Sequence, residues 1–125
     1  PEECSIEAIP GASALTASLS ISGFPTEEFV FLGFPPHKKG RETFFKNLLK
    51  ETRTVVFYES PHRLIKALEA LRKVLPEERR MAVARELTKM HEEFIQGTGA
   101  EVETFFLSHP DKVRGECVVI ISPTQ

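Results

Sequence analysis

Two short polar stretches carry the side chains best suited to chemistry, and each follows an apolar run. The first is Glu59-Ser60-Pro61-His62-Arg63, which continues Val55-Val56-Phe57-Tyr58 without a spacer. Glu59 and His62 could form an acid–base pair. Glu59 could instead accept hydrogen bonds from the hydroxyl groups of a ligand, as acidic residues do for riboses. His62 and Arg63 could equally decorate an exposed first helical turn. The second stretch, Arg85-Glu86-Leu87-Thr88-Lys89-Met90-His91, follows Met81–Ala84. Arg85, Lys89 and His91 suit an anionic substrate, with Glu86 orienting one of them; an Arg85–Glu86 salt-bridge network is the structural alternative.

Two further segments could hold a ligand. In His37-Lys38-Lys39-Gly40-Arg41, three fixed positive charges lie within four residues, and Gly40 would let a phosphodiester backbone come close. Short basic clusters are often only solvated surface. Cations at a helix start oppose the macrodipole, however, so local stability does not account for these. Pro10-Gly11-Ala12-Ser13 joins a strand-like segment to a helix of small residues. Glycine there removes a steric obstacle, and helix-start amides are free to donate; taken alone, an ordinary turn is the stronger reading.

Several chemistries are excluded. The glycine pattern and lysine of a phosphate-binding loop are absent, as is Gly-x-Ser-x-Gly. His91-Glu92-Glu93 lacks the second histidine of a zinc-protease helix, so no metal is expected. Cys117 sits inside an apolar run, where a thiolate is disfavoured.

The elements that must position these groups alternate. Ser5–Ile9, Phe29–Phe34, Val55–Tyr58, Met81–Ala84, Phe94–Gln96 and Cys117–Ile121 read as strands, the first and fifth short. Ala12–Ser22, Arg41–Glu51, Pro61–Leu75 and Gly99–Leu107 read as helices. Phe44, Phe45, Leu48 and Leu49 form one apolar stripe; Leu64, Ile65, Leu68, Leu71 and Leu75 form another. Ser60 reads as a helix cap with Pro61 in the first turn. Lys89 to Phe94 is too short for a crossover helix, which implies an antiparallel hairpin. The fold class expected is α/β: a three-layer α/β/α sandwich on a mixed, mostly parallel sheet of about five strands. Glu59, His62 and Arg63 would then stand at the carboxyl end of a strand, where open α/β sheets bind ligands.

A chain of 125 residues, 41% hydrophobic and 27% charged, is one globular domain by size. A net charge of −2 argues against coating nucleic acid through bulk charge, while leaving room for a local basic patch. Cys4 and Cys117 match neither a zinc spacing nor a disulfide framework, which points to a reducing cytoplasm. No apolar run suggests a membrane span. Pro1-Glu2-Glu3 has no basic segment and no initiator Met, and reads as a boundary rather than a signal peptide.

The order of the motifs says more than any one of them. Ile9-Pro10-Gly11-Ala12-Ser13-Ala14, Phe31-Leu32-Gly33-Phe34-Pro35, Phe57-Tyr58-Glu59-Ser60-Pro61-His62-Arg63 and Ala84-Arg85-Glu86-Leu87-Thr88-Lys89, in that order, closely resemble the tetrapyrrole methylase superfamily, and within it the branch that methylates ribosomal RNA. The resemblance covers nearly the whole chain. It implies two α/β domains with S-adenosylmethionine in the cleft between them. This chain is similar to the second domain only, so residues 1–125 would be the C-terminal half of a two-domain methyltransferase and inactive alone.

The resemblance also implies roles. Pro10, Gly11, Ala12 and Ser13 would line the cofactor cleft, and Tyr58 and Ala84 would pack near the adenosine. The reaction would move the sulfonium methyl to a ribose 2′-oxygen of a cytidine in small-subunit ribosomal RNA, with Glu59, His62 or Lys89 as the base. Lys38, Lys39, Arg41, Arg63, Arg85 and Lys89 would hold RNA phosphates. Members of the family are homodimers as a rule. Methylation of a tetrapyrrole or other small molecule, and a non-catalytic α/β binding module, are the alternatives.

Overall fold

Val, Ile, Phe, Tyr and Thr concentrate in the segments that become strands, and leucine at intervals of three and four in those that become helices. The computed structural model describes residues 28–88, 91–113 and 116–124. Their order is β1 (Phe29–Phe31), α1 (Arg41–Asn47, prolonged by a 3-10 turn at Leu48–Lys50), β2 (Thr54–Glu59), α2 (Leu64–Val74), β3 (Met81–Thr88), β4 (His91–Gly97), α3 (Gly99–Ser108), a 3-10 turn at Pro110–Lys112, and β5 (Glu116–Ile121). The strand expected at Ser5–Ile9 and the helix expected at Ala12–Ser22 lie outside the described residues.

The sheet has five strands in the order β1-β2-β5-β3-β4. It is mixed, as expected, but it is not mostly parallel. Only β1 and β2 pair in parallel; β2–β5, β5–β3 and β3–β4 are antiparallel. The physical reason is the path of the last strand. β1, β2 and β3 all run in one direction, as strand–helix alternation demands, and β5 then enters between β2 and β3 pointing the other way. Cys117–Ile121 is fully buried at the centre of the sheet, as its unbroken apolar sequence requires. The hairpin expected after β3 is present, and β4 closes one edge.

The described helices all pack on one face. Phe45 and Leu48 of α1, Leu64, Leu68 and Leu71 of α2, and Val102 and Phe106 of α3 form one cluster with Val55, Phe57, Val83, Cys117, Val119 and Ile121. Each fully buried leucine contributes about 1.5–3 kcal/mol. The opposite face carries a second, smaller cluster of Val56, Ala82, Val118 and Ile120, flanked by Tyr58, Ala84 and Phe94.

Two local expectations change, and one cap is found that was not expected. Leu49 is exposed, because the chain tightens into a 3-10 turn at Leu48 and leaves the α-helical stripe. Helix α2 starts at Leu64, with Arg63 at its N-cap position and no side-chain capping bond, so Ser60 is not the cap. Its amide donates to Glu59, its carbonyl accepts the Arg63 amide in a tight turn, and its hydroxyl accepts from the Arg63 guanidinium. Helix α3 has a capping box that the spacing Thr98–Glu101 encodes: the Thr98 hydroxyl accepts from the Glu101 amide, and the Glu101 carboxylate accepts from the Thr98 amide.

Candidate functional site

Alternation along the strands divides the candidate residues between the two faces of the sheet. Glu59, Cys117, Arg85 and Glu93 lie in register across β2, β5, β3 and β4, on the face covered by helices. One residue earlier or later, Tyr58, Val118, Ala84 and Phe94 form the matching row on the other face. Glu59 and Tyr58 are neighbours in sequence yet serve different surfaces.

The helix-side row is held by charge. Glu59 is 2% exposed, and its Oε2 accepts from Arg41 Nη2 at 2.8 Å while Oε1 accepts from the Ser60 amide at 3.0 Å. Arg41 also donates through Nη1 to the Pro36 carbonyl at 3.1 Å and lies 5.1 Å over the Phe45 ring. The cation at the start of α1 thus finds its counter-charge on β2, which explains its place against the helix dipole. At the other end of the row, Arg85 pairs with Glu93 across the hairpin, and Lys112 Nζ reaches Glu93 Oε2 at 2.7 Å.

On the opposite face, Tyr58 and Ala84 are separated only by Val118, hence by two strand spacings of about 4.8 Å. Tyr58 meets Phe31 edge-on, with ring centroids 5.1 Å apart, and Phe34 at 5.4 Å. The Tyr58 amide donates to the Gly33 carbonyl at 2.7 Å, which fixes the loop after β1 against the tip of β2. Gly33 has φ +70, a conformation that glycine adopts without strain, and this turns the chain so that Phe34 stands 58% exposed.

The sequence candidates therefore part company. Tyr58 and Ala84 come together; Glu59 and His62 do not, since His62 is exposed in the turn after the strand and shares no hydrogen bond with Glu59 among the described residues. Arg41, Arg63 and Arg85 are engaged by Glu59, Ser60 and Glu93. Lys38 and Lys39 are exposed and make no ion pair with another described residue. Pro10, Gly11, Ala12, Ser13 and Lys89 lie outside the described residues. Among those described, no group of three or more His, Cys, Asp or Glu side chains is placed to hold a metal ion, and no helix is long and apolar enough to cross a membrane.

Some structural residues escaped the sequence. Arg79, 3% exposed near the start of β3, donates to the Ser122 carbonyl at 2.6 Å and the Glu51 carbonyl at 3.0 Å, clamping the end of the sheet away from Tyr58. Burial lowers its pKa. Nearby, hydrogen bonds from Arg53 hold the Glu51 carboxyl down to about 2. Nothing local signals Arg79 as buried, because its partners are 28 and 43 residues away. The strand expected at Phe29–Phe34 stops at Phe31, and Gly33, in the left-handed conformation, was the visible signal that Phe34 leaves it.

β3 runs on to Thr88, so Ala84 lies within its strand rather than at its end, and only Tyr58 of the Tyr58–Ala84 row stands near a strand tip. A mixed five-stranded α/β sheet fits the family that the chain matches. Residues 1–103 match the model for tetrapyrrole (corrin/porphyrin) methylases, and the chain belongs to that family. Solved structures agree on the fold: the methyltransferase CobJ superposes with a TM-score of 0.64 at 17% identity over 94% of this chain and 55% of its own. The cobalt precorrin-4 methyltransferase CbiF gives 0.65 at 13% identity over 91% and 50%.

Within the family, the chain is most plainly similar to proteins named ribosomal RNA small subunit methyltransferase I. That of Thermotoga maritima is 40% identical over 97% of this chain and 55% of its own length. Those of Pseudomonas aeruginosa and Synechocystis sp. are 42% and 44% identical, over 94% and 98% of this chain and 42% and 44% of theirs. The chain spans about half the length of the curated relatives it matches.

Proposed function

We propose that this chain forms one wall of the methyl-transfer cleft of an S-adenosylmethionine-dependent ribosomal RNA methyltransferase, whose acceptor is a ribose 2′-oxygen of a cytidine in the small-subunit RNA. The observation that carries the reading is the approach of an exposed lysine loop, which forms no ion pair with described residues, to the tip of β2, where the Tyr58–Ala84 row begins. Arg41 ties that loop to the tip of β2 through Glu59. The small side chain of Ala84 beside Val118 and the Tyr58 ring makes an apolar, uncharged floor that suits the adenosine of the cofactor, and Pro10, Gly11, Ala12 and Ser13 are assigned to the same ligand. Bound there, S-adenosylmethionine supplies an electrophilic methyl group.

The chain's own residues then have separate tasks. Lys38 and Lys39 hold phosphates of the RNA. His62, exposed beyond the strand tip, and Lys89 are the candidates to take the 2′-hydroxyl proton. Glu59 is an anchor for Arg41 rather than a base, because its carboxylate is buried and already shared by two donors. Arg63 braces the turn after β2 and Arg85 the β3–β4 hairpin, and they meet RNA only if their internal partners release them. The working unit is a cytoplasmic homodimer.

Methylation of a tetrapyrrole is the second reading, favoured by the shared fold of CobJ and CbiF. Identities of 13–17% to those structures against about 40% to the RNA methyltransferases weigh toward RNA. The complete encoded protein, given methyl-labelled cofactor with either small ribosomal subunits or porphyrinoid precursors, should label the RNA. Label in the porphyrinoid alone would reverse the assignment.

A further inference from the structure

Single exposed apolar side chains are ordinary, but clustered ones mark a surface with a partner, and the end of β1 and the loop after it carry two exposed rings together. Phe34 is 58% exposed and Phe31 43%, and both lean on Tyr58. We propose that Phe34, backed by Phe31 and Tyr58, is a stacking platform for an unpaired base of the RNA, and that Lys38 and Lys39 take the phosphates of the same strand. This rests on the RNA reading above and adds the contact that would position the substrate.

Three observations carry it. The platform is built before any ligand arrives: Leu32 donates to the Val56 carbonyl at 2.9 Å, Tyr58 to the Gly33 carbonyl at 2.7 Å, and Pro35 is buried beneath the loop. A ring held in this way loses little freedom on binding. Secondly, the rings that could serve lack charge and, in Phe31 and Phe34, any polar atom, so they offer a π-face and no hydrogen-bond code. Single-stranded RNA binders use such surfaces to hold splayed bases.

The third is the charge beside the rings. Lys38 and Lys39 follow Phe34 by four and five residues, within about 18 Å even for a stretched chain. The Lys38 carbonyl accepts the Arg41 amide in a turn, which keeps the loop folded. Of the cations first considered for RNA, Arg41, Arg63 and Arg85 are engaged internally, whereas these two lysines are exposed and form no ion pair with described residues. An apolar partner would not call for a pair of ammonium groups here; a polyanion with flat bases matches both features.

The test uses the complete encoded protein, with small-subunit ribosomal RNA and S-adenosylmethionine as separate ligands in equilibrium binding. Phe34→Ala should weaken RNA binding on the order of 10-fold and leave cofactor affinity unchanged. Phe34→Trp should preserve RNA binding, and Phe34→Leu should fail like alanine, because it keeps apolar area but has no ring face. The salt slope of RNA affinity should be unaltered in the Phe34 variants and shallower by about 1.4 in Lys38→Ala/Lys39→Ala, two phosphate contacts on a single strand. RNA affinity unchanged in Phe34→Ala, or full rescue by leucine, overturns the platform. So does a Phe34→Ala variant that loses its oligomeric state together with both ligands, since the rings would then be a protein interface. If the unaltered protein neither binds nor methylates the RNA, the functional reading itself falls, which the labelled-methyl assay reports separately.

Discussion

Arg41 shows how one guanidinium can look like a ligand-binding group and be a strut. Its position in a basic cluster suggests phosphate contact; its partner is Glu59, 18 residues further on, and no spacing rule links the two. The pair is largely buried, with side chains 15% and 2% exposed. Removing one member strands the other as a buried charge, which costs about 3–5 kcal/mol. Arg41→Ala should therefore lower the denaturant midpoint strongly, whereas Lys38→Ala/Lys39→Ala should stay within about 0.5 kcal/mol of the parent. Chemical denaturation of the three proteins checks this; an Arg41→Ala variant of parental stability would return Arg41 to the RNA-contacting set. The candidates that depend on local pattern, such as Tyr58 at a strand tip, were legible for that reason. Those whose role is decided by a distant partner, Glu59 and Arg85 among them, were not.

At the scale of elements, periodicity located every described strand and helix and erred at their ends. The start of α2 moved from Pro61 to Leu64 because Ser60 and Arg63 close a turn on each other. Helix α3 has the opposite character: its start is written in four residues, Thr98 to Glu101. Thr98→Ala should cost about 1 kcal/mol, measurable by thermal unfolding. Hydrogen bonds from Thr98 lower the Glu101 pKa, the backbone amide first. A carboxyl that titrates lower in the folded chain stabilises it fully above the ordinary carboxylate range, and that contribution is lost as pH falls through the folded value. Carboxyl NMR should show Glu101 titrating below the ordinary carboxylate range, and that depression should shrink in Thr98→Ala. Leu68, buried on α2 against the sheet, should cost about 2–5 kcal/mol as alanine by the cavity it leaves.

At the scale of the molecule, alternation of strand and helix gave three strands their common direction but could not say that β5 would come between two of them. Neighbour order is a tertiary choice, and the unbroken apolar run Cys117–Ile121 was the one local hint of a central place. That choice shapes the proposed site, because β5 brings Val118 between Tyr58 and Ala84 and so sets their spacing. A floor alone should not catalyse. Methyl transfer is an in-line displacement, and most of what a protein adds is alignment of methyl and oxygen, worth effective molarities of about 10⁵–10⁸ M. The chain spans about half the length of its relatives. Residues 1–125 alone should therefore unfold cooperatively, with a core of their own, yet transfer labelled methyl at least about 10⁵-fold more slowly than the complete encoded protein. Comparable rates would mean that this chain aligns the reactants unaided, and the division of labour argued from Tyr58, Ala84 and the lysine loop would have to be redrawn.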